Sequence, residues 1–202
     1  MKKKIYIGLL MAVMIVCAAS VLGMLSGCGK QDGDTVLAEY NGLKVTQEMV
    51  DRQQSYGSNP GIGDISSKAI VERILTGQML LEEAESKGLA ATEAEIEEHV
   101  ATLKKGYADY PEVKKQVDEY CDGAGLSLDE YWAQVREQAY GTISRSKLKA
   151  DFEKEYCDSV GYTGSTETQE YVDMIEKAFD EHRSELLKAH QSEVKYYGSA
   201  AK

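Results

Sequence analysis

The chain has 202 residues, of which 34 are Asp or Glu and 23 are Lys or Arg, so its formal net charge is −11. A surface this acidic argues against nucleic acid as a partner and against a broad basic face lying on anionic lipid. The length is sufficient for one domain with a sizeable hydrophobic core.

The N-terminus has the pattern of a secretory signal. Residues 2–4 are lysines, and an uncharged apolar run extends from Ile5 to Leu25. A charged start followed by an apolar run is typical of signal peptides. The run is also nearly long enough to span a bilayer. The N-terminal segment is therefore either a cleaved signal peptide or an uncleaved transmembrane anchor. Both alternatives place residues 29–202 outside the cytoplasm, because the lysines stay on the cytoplasmic side of the membrane.

The residues at the end of this apolar run distinguish the two alternatives. The sequence Leu25-Ser26-Gly27-Cys28 resembles the bacterial lipobox. The resemblance implies that residues 1–27 are a lipoprotein signal peptide cleaved before Cys28, and that diacylglycerol carrying acyl chains such as palmitate is attached to the Cys28 sulfur. Loss of the three lysines makes the net charge of the remaining chain −14. We therefore expect a lipid-anchored protein on the extracytoplasmic face of the cell membrane.

The anchored part begins with a short polar tether and a predicted β-hairpin. Residues 28–34 are the tether, since their composition is that of a flexible linker. Two β-prone runs, residues 35–40 and 43–46, flank Asn41-Gly42, the pair that favours a type I′ turn. Thr46 can cap a helix that extends to about residue 56, and residues 57–64 are a predicted loop because they contain three glycines and a proline.

The rest of the chain is predicted to be mainly helical. The apolar positions from Ser66 onwards recur with helical spacing. Two capping boxes, Thr92–Glu95 and Ser127–Glu130, mark the starts of two further helices. Other helices are predicted from Pro111 and over residues 166–190, and residues 193–197 are a strand candidate. The predicted fold is therefore mostly α, with a small N-terminal hairpin that a C-terminal strand can join, because a lone hairpin is marginal in water.

The cysteines divide by position. Cys17 leaves with the signal and Cys28 takes the lipid, which leaves Cys121 and Cys157 in a compartment that permits disulfides. An even pair of cysteines in such a compartment favours a structural disulfide between them. The alternative is that both are half-buried free thiols. A metal site is not expected, because no histidine falls at ligand spacing from either cysteine.

Three segments follow one another in the chain: "VLAEYNGLKVTQEMVDRQ", "AIVERILTGQMLLEEAESKGLAATEAEIEEHV" and "GLSLDEYWAQVREQ". In this order they resemble the N-terminal region of the SurA/PrsA foldase family, and the resemblance covers about residues 35–155. It implies a SurA N-terminal-like helical domain over residues 35–158, with the C-terminal helix and strand of residues 159–202 packing back on it. The parvulin domain that relatives usually carry after the helical region has no counterpart here, since residues 160–165 leave no room for it.

Candidate site residues are few. No catalytic residue, cofactor or metal ligand is expected, because the chain has no nucleophile elbow, no P-loop and no metal-binding histidine pair. Tyrosine is abundant, with 13 Tyr against 2 Phe, and its apolar ring and polar tip suit a surface that is wet when free and apolar when bound. The candidate client-binding residues are Tyr107, Tyr110, Tyr131, Trp132 and Tyr140. The alternative is that these side chains form the core and its rim.

The resemblance implies a chaperone-like lipoprotein that binds unfolded or newly secreted polypeptides without ATP and without catalysis. One alternative is a scaffold for a dedicated envelope partner, and another is a degenerate peptidyl-prolyl isomerase. A lipoprotein that binds small solutes is disfavoured, because such proteins usually need two α/β lobes. No small-molecule substrate and no nucleic acid are expected as partners.

Overall fold

The computed structural model describes residues 35–57 and 66–201. The predicted signal peptide, the tether and the lipidation site Cys28 lie outside these residues. Within them the chain forms six α-helices and one three-stranded sheet, so the prediction of a mostly helical fold with a small sheet is confirmed.

The sheet joins the two ends of the described chain. Strands β1 (Val36–Tyr40) and β2 (Leu43–Thr46) form the hairpin, and β3 (Lys195–Tyr196) pairs antiparallel with the other edge of β1. The strand order is therefore β2-β1-β3. Asn41 and Gly42 have φ values of 44° and 84°, which is the pair of positive angles that a type I′ turn requires. The predicted third strand is present, although it is shorter than residues 193–197, and a 3₁₀ turn over Gly198–Ala201 follows it.

The described residues form six α-helices, and capping boxes mark where two of them begin. The helices are α1 (Gln47–Gly57), α2 (Ser67–Ser86), α3 (Glu93–Asp109), α4 (Pro111–Ala124), α5 (Leu128–Val160) and α6 (Gln169–Ala189). The capping box before α3 has both of its hydrogen bonds. The box before α5 also forms, since Glu130 N donates to Ser127 Oγ at 3.2 Å and Ser127 N donates to Glu130 Oε2 at 2.7 Å.

The chain divides into two compact units. One, here called the helical unit, consists of residues 90–144, and the other, called the hairpin unit, consists of residues 35–57 and 66–89 together with 145–201. The hairpin unit is therefore discontinuous in sequence. This division differs from the sequence-based one at residue 158, because α5 contributes its first half to the helical unit and its second half to the hairpin unit.

The hairpin unit has its main core between the sheet and α2. Leu75, Val71 and Val45 are fully buried there, with Val194 and Ala200 from the C-terminal segment in the same cluster. A second cluster forms where Phe179 of α6 and Leu148 of α5 pack against Leu80 and Ala84 of α2. Complete burial of each large aliphatic side chain contributes about 1.5–3 kcal/mol relative to exposure, so apolar packing holds the chain ends together.

Polar contacts in the hairpin unit fasten α6 and the β1–β2 turn to α2. His182 Nε2 lies 2.8 Å from Glu83 Oε2. Tyr40 donates its hydroxyl to Glu82 at 2.9 Å, and burial together with that carboxylate raises the Tyr40 pKa above its usual range. Asn41 donates to the second oxygen of Glu82 at 2.8 Å. The turn is thus anchored by side chains as well as by the strand ladder.

Candidate functional site

The helical unit contains the aromatic residues that the sequence marks as a candidate binding surface. Tyr131 and Trp132 lie at the start of α5, and their ring centroids are 4.9 Å apart at an interplanar angle of 69°. This edge-to-face arrangement is favourable for aromatic pairs. Their exposed fractions are only 4% and 8%. The cluster around them consists of Val100, Leu103, Val113, Val117, Cys121 and Val135.

Client binding by Tyr131 and Trp132 stays a prediction, and in this structure both side chains are largely buried. Both side chains are part of the core of the helical unit, as the alternative interpretation holds. The physical reason is helical spacing: Val135 and Ala139 are buried on the same helix and continue the inward-facing stripe that Tyr131 and Trp132 begin.

Tyr107 forms the rim of this core, and its hydroxyl is already engaged. Its ring lies 5.8 Å from that of Trp132 at 86°. The hydroxyl donates to Asp118 at 2.8 Å, while Lys114 Nζ donates to the Tyr107 oxygen at 2.9 Å and to Asp118 at 2.7 Å. The hydrogen bonds from Lys114 and Tyr107 lower the pKa of Asp118, and those that Lys114 makes raise its own pKa. Tyr107 is thus half-buried and held in place.

The other two candidate tyrosines are half-buried. Tyr110 occupies the junction of α3 and α4, where its backbone N–H closes α3 by donating to Gly106 O, and its side chain packs against the aromatic core. Tyr140 lies on α5 between the buried Ala139 and Gly141. The structure therefore brings Tyr107, Tyr110, Tyr131 and Trp132 together in one cluster, and it places Tyr140 outside that cluster.

The two remaining cysteines are free thiols, so the expected disulfide is not present. Cys121 is buried in the core of the helical unit, where burial and the nearby carboxylates of Asp118 and Asp122 raise the pKa of its thiol. Cys157 is half-buried in the hairpin unit, and its sulfur lies 3.6 Å from the hydroxyl of Tyr171. Each thiol thus has its own surroundings, and the two belong to different units.

A feature that sequence reasoning missed lies on α5. Gln138 Oε1 and Thr142 Oγ1 are buried atoms with no hydrogen-bond partner among the residues that the structure describes. The two residues are one helical turn apart in the helical unit. Their i, i+4 spacing was readable in the sequence, but the polarity of both residues suggests a solvated face, so nothing in the sequence indicated burial.

No metal centre appears in the described part of the chain, where no group of three or more His, Cys, Asp or Glu side chains is placed to hold an ion. His190 has protein partners, since its Nδ1 lies 3.0 Å from Glu193 and 3.3 Å from the Tyr40 hydroxyl. Among the helices of residues 35–57 and 66–201, none combines the length and the apolar character that a membrane crossing requires.

Comparison with protein-family models, with curated proteins and with solved structures finds no match for this chain.

Proposed function

We propose that this protein is a lipid-anchored, extracytoplasmic chaperone-like protein that binds unfolded or newly secreted polypeptides without ATP. The observation that carries the proposal is the order of elements. A hairpin opens the fold, a helical region follows, and a C-terminal helix and strand return so that β3 pairs with β1. This is the arrangement that the resemblance to the SurA/PrsA N-terminal region implies.

The same order supports a function without catalysis. The connection between α5 and α6 comprises residues 161–168, which is far shorter than the ~50–250 residues of a typical domain. It is here that relatives in the foldase family carry their parvulin domain. We therefore expect no acceleration of cis–trans isomerisation in a proline-containing peptide, and a clear acceleration would favour the degenerate isomerase instead.

The strongly acidic composition suits a protein that binds unfolded polypeptides. A net charge far from zero keeps a protein soluble and limits its self-association. The same field attracts basic segments of unfolded chains and repels acidic ones. Binding that depends on this field weakens as salt is added, because salt screens interactions between exposed charges.

The test of the proposal is suppression of aggregation. The full-length protein, reconstituted in lipid nanodiscs, is mixed at modest molar excess with several unrelated, chemically unfolded proteins as they are diluted into buffer without ATP. We expect lower light scattering for clients of different sequence, relative to empty nanodiscs of the same lipid. Unchanged scattering for every client would overturn general chaperone activity.

Binding to one dedicated partner is the second candidate function, and the surface of the described residues favours it in one respect. The large hydrophobic side chains that are exposed in the described ranges are Val160, Val172 and Tyr197, at 52%, 44% and 39%. A general chaperone commonly offers a broader apolar patch. Crosslinking in intact membranes separates the candidates, since one dominant product indicates a dedicated partner and many products indicate a general chaperone.

Membrane attachment is tested separately from client binding. The Cys28→Ser variant removes the sulfur that the proposed lipid occupies, so we expect loss of radiolabelled palmitate incorporation and accumulation of the unprocessed precursor. Cys157→Ser is the matched control and is expected to leave both unchanged. Palmitate labelling that persists in Cys28→Ser would contradict the anchor.

A further inference from the structure

Both ends of the described chain meet at one end of the three-stranded sheet. β3 runs antiparallel to β1, and Lys195 lies opposite Glu39. Tyr197 N donates to Leu37 O at 2.8 Å, which continues the pairing towards the start of β1. Ala200 then packs in the same buried cluster as Leu37. We call this end of the sheet the tether end, and it consists of Thr35, Val36, Thr46 and residues 196–201.

The tether is short compared with the unit that it holds. Thr35 is fixed to the hairpin unit, because Gln47 N donates to Thr35 O at 2.9 Å. Seven residue steps separate Thr35 from Cys28, so the two residues lie at most about 25 Å apart when the chain between them is fully extended. A compact unit of about 100 residues is about 34 Å across. The side of the hairpin unit that lies opposite the tether end therefore cannot face the bilayer.

An orientation with the Asn41-Gly42 turn against the bilayer is also unfavourable. β1 has five residues, so the turn lies about 17 Å from the tether end along the strand. A flexible chain of seven residues spans only about 15 Å on average, and the tether would have to be stretched. Contact of the tether end with the bilayer requires no such stretching.

The tether end carries few charges. Residues 196–201 contain no charged side chain, and the residue that follows them, Lys202, is a cation. Three acids lie close to this end in sequence or in space: Asp34, Glu48 and Glu72. Glu48 is paired with Arg52 at 2.7 Å. Because a charge that is buried against lipid loses its hydration, an end with few charges suits contact with a bilayer.

Other surfaces of the hairpin unit are more highly charged. The shallow cleft at the turn end of the sheet is lined by four charged residues: Glu39, Lys44, Glu193 and Lys195. One face of α6 has two lysines against five acids: Asp173, Glu176, Asp180, Glu181 and Glu185. Contact of these surfaces with lipid would remove hydration from many charges, and the face of α6 would also be repelled by anionic headgroups.

Tyr197 gives the tether end an amphipathic side chain. Its side chain is 39% exposed. Its backbone lies level with Leu37, while its hydroxyl donates to Glu39 Oε2 at 3.0 Å, two residues further along β1. The polar tip therefore points away from the tether end. A tyrosine at a membrane surface has the same arrangement, with its ring towards the lipid and its hydroxyl towards water.

We propose that the tether end rests on the lipid surface, with the ring of Tyr197 at the level of the headgroups and the Asn41-Gly42 turn directed away from the bilayer. The proposal rests on the lipid anchor of the proposed function and names the surface that contacts the membrane. The contact is aromatic and nearly uncharged, so it requires no basic face. It gives the hairpin unit one orientation on the membrane instead of free rotation about its tether.

The experiment uses the unaltered full-length protein in phosphatidylcholine nanodiscs, where part of the lipid carries a photoreactive diazirine near the glycerol end of one acyl chain. After illumination, lipid adducts are mapped by proteolysis and mass spectrometry. We expect adducts on residues 35–38 and 195–201, and few on residues 41–44 or 169–176. Adducts that are confined to the latter two ranges, or spread evenly over all four, would overturn the inference.

A second measurement compares two tryptophan variants. Tyr197→Trp and the matched control Val172→Trp change exposed positions of the same unit, since Val172 is 44% exposed. Trp132 is common to both proteins and sets the baseline. In nanodiscs of lipid brominated on its acyl chains, the added fluorescence should be lost in Tyr197→Trp and retained in Val172→Trp. Equal quenching of both variants, or of neither, would contradict the proposed orientation.

Flotation of the nanodiscs in a density gradient separates failure of the inference from failure of the anchor. Protein that floats with the discs but has no adducts at the tether end keeps the anchor and overturns the inference. Protein that does not float overturns both. Crosslinks between two copies of the chain at residues 195–201, in place of lipid adducts, would identify a second copy as the occupant and would also overturn the inference.

Discussion

Leu75 provides the sharpest test of the discontinuous hairpin unit. Its side chain is fully buried in the cluster that contains Leu37 from β1 and Val194 from the C-terminal segment. Leu75→Ala removes buried methyl groups and leaves a cavity, which costs about 2–5 kcal/mol of unfolding free energy. For a protein of this size the melting temperature should fall by about 5–15 °C.

The assay that locates this loss is hydrogen–deuterium exchange followed by mass spectrometry. Because residues from both ends of the described chain share the core, we expect faster exchange in residues 35–57 and 66–89 and also in the C-terminal residues 194–197. The amide of Tyr197 is a useful reporter, since it donates to Leu37 O at 2.8 Å. Peptides from residues 93–124 should change less.

Val172→Ala is the control, because Val172 is 44% exposed in the same unit and surface substitutions usually change stability by less than about 0.5 kcal/mol. Faster exchange confined to α2, with unchanged protection of the C-terminal strand, would refute the shared core.

Three further predictions concern the helix cap, acid stability and the thiols. Ser127→Ala should lower the unfolding free energy by about 1 kcal/mol in a urea titration, because it removes the hydroxyl that accepts from Glu130 N; an unchanged midpoint would contradict the role of the cap. Burial lowers the pKa of His99 below its usual value of 6.5. The unfolded chain therefore binds more protons than the folded chain, and the free energy of unfolding decreases as the pH falls below about 6.5. The His99→Gln variant should therefore lose less stability between pH 7 and pH 5, and a slope equal to that of the unaltered protein would count against this explanation. Iodoacetamide should alkylate Cys157 faster than Cys121, whose thiol is buried and has a raised pKa, and a peptide containing a Cys121–Cys157 disulfide would contradict the structure.

Local chemistry made much of the fold predictable. The Asn41-Gly42 turn and the two capping boxes depend on residues within four positions of one another, so the sequence contains all the information needed. The third strand could be anticipated for a different reason, since an isolated hairpin is marginally stable and residues 193–197 are strand-like. Its length of two residues depends on long-range packing that no local pattern reveals.

The candidate site was harder to predict. Tyrosine is amphipathic, so composition alone cannot distinguish a core residue such as Tyr131 from a rim residue such as Tyr107. The division into two units was missed because α5 is continuous through residue 144 and shows no local break there. The burial of the side-chain oxygens of Gln138 and Thr142 was missed because polar residues on a helix are usually solvated.

The most direct test of the proposed chaperone function is binding of one permanently unfolded protein, reduced and alkylated so that it cannot refold, compared with the same protein in its native form. Fluorescence anisotropy with the reconstituted full-length chain, in buffer without ATP, gives both affinities. The proposed function predicts saturable binding of the unfolded form and little binding of the native form. Equal affinity for both forms, or no binding of the unfolded one, would contradict it.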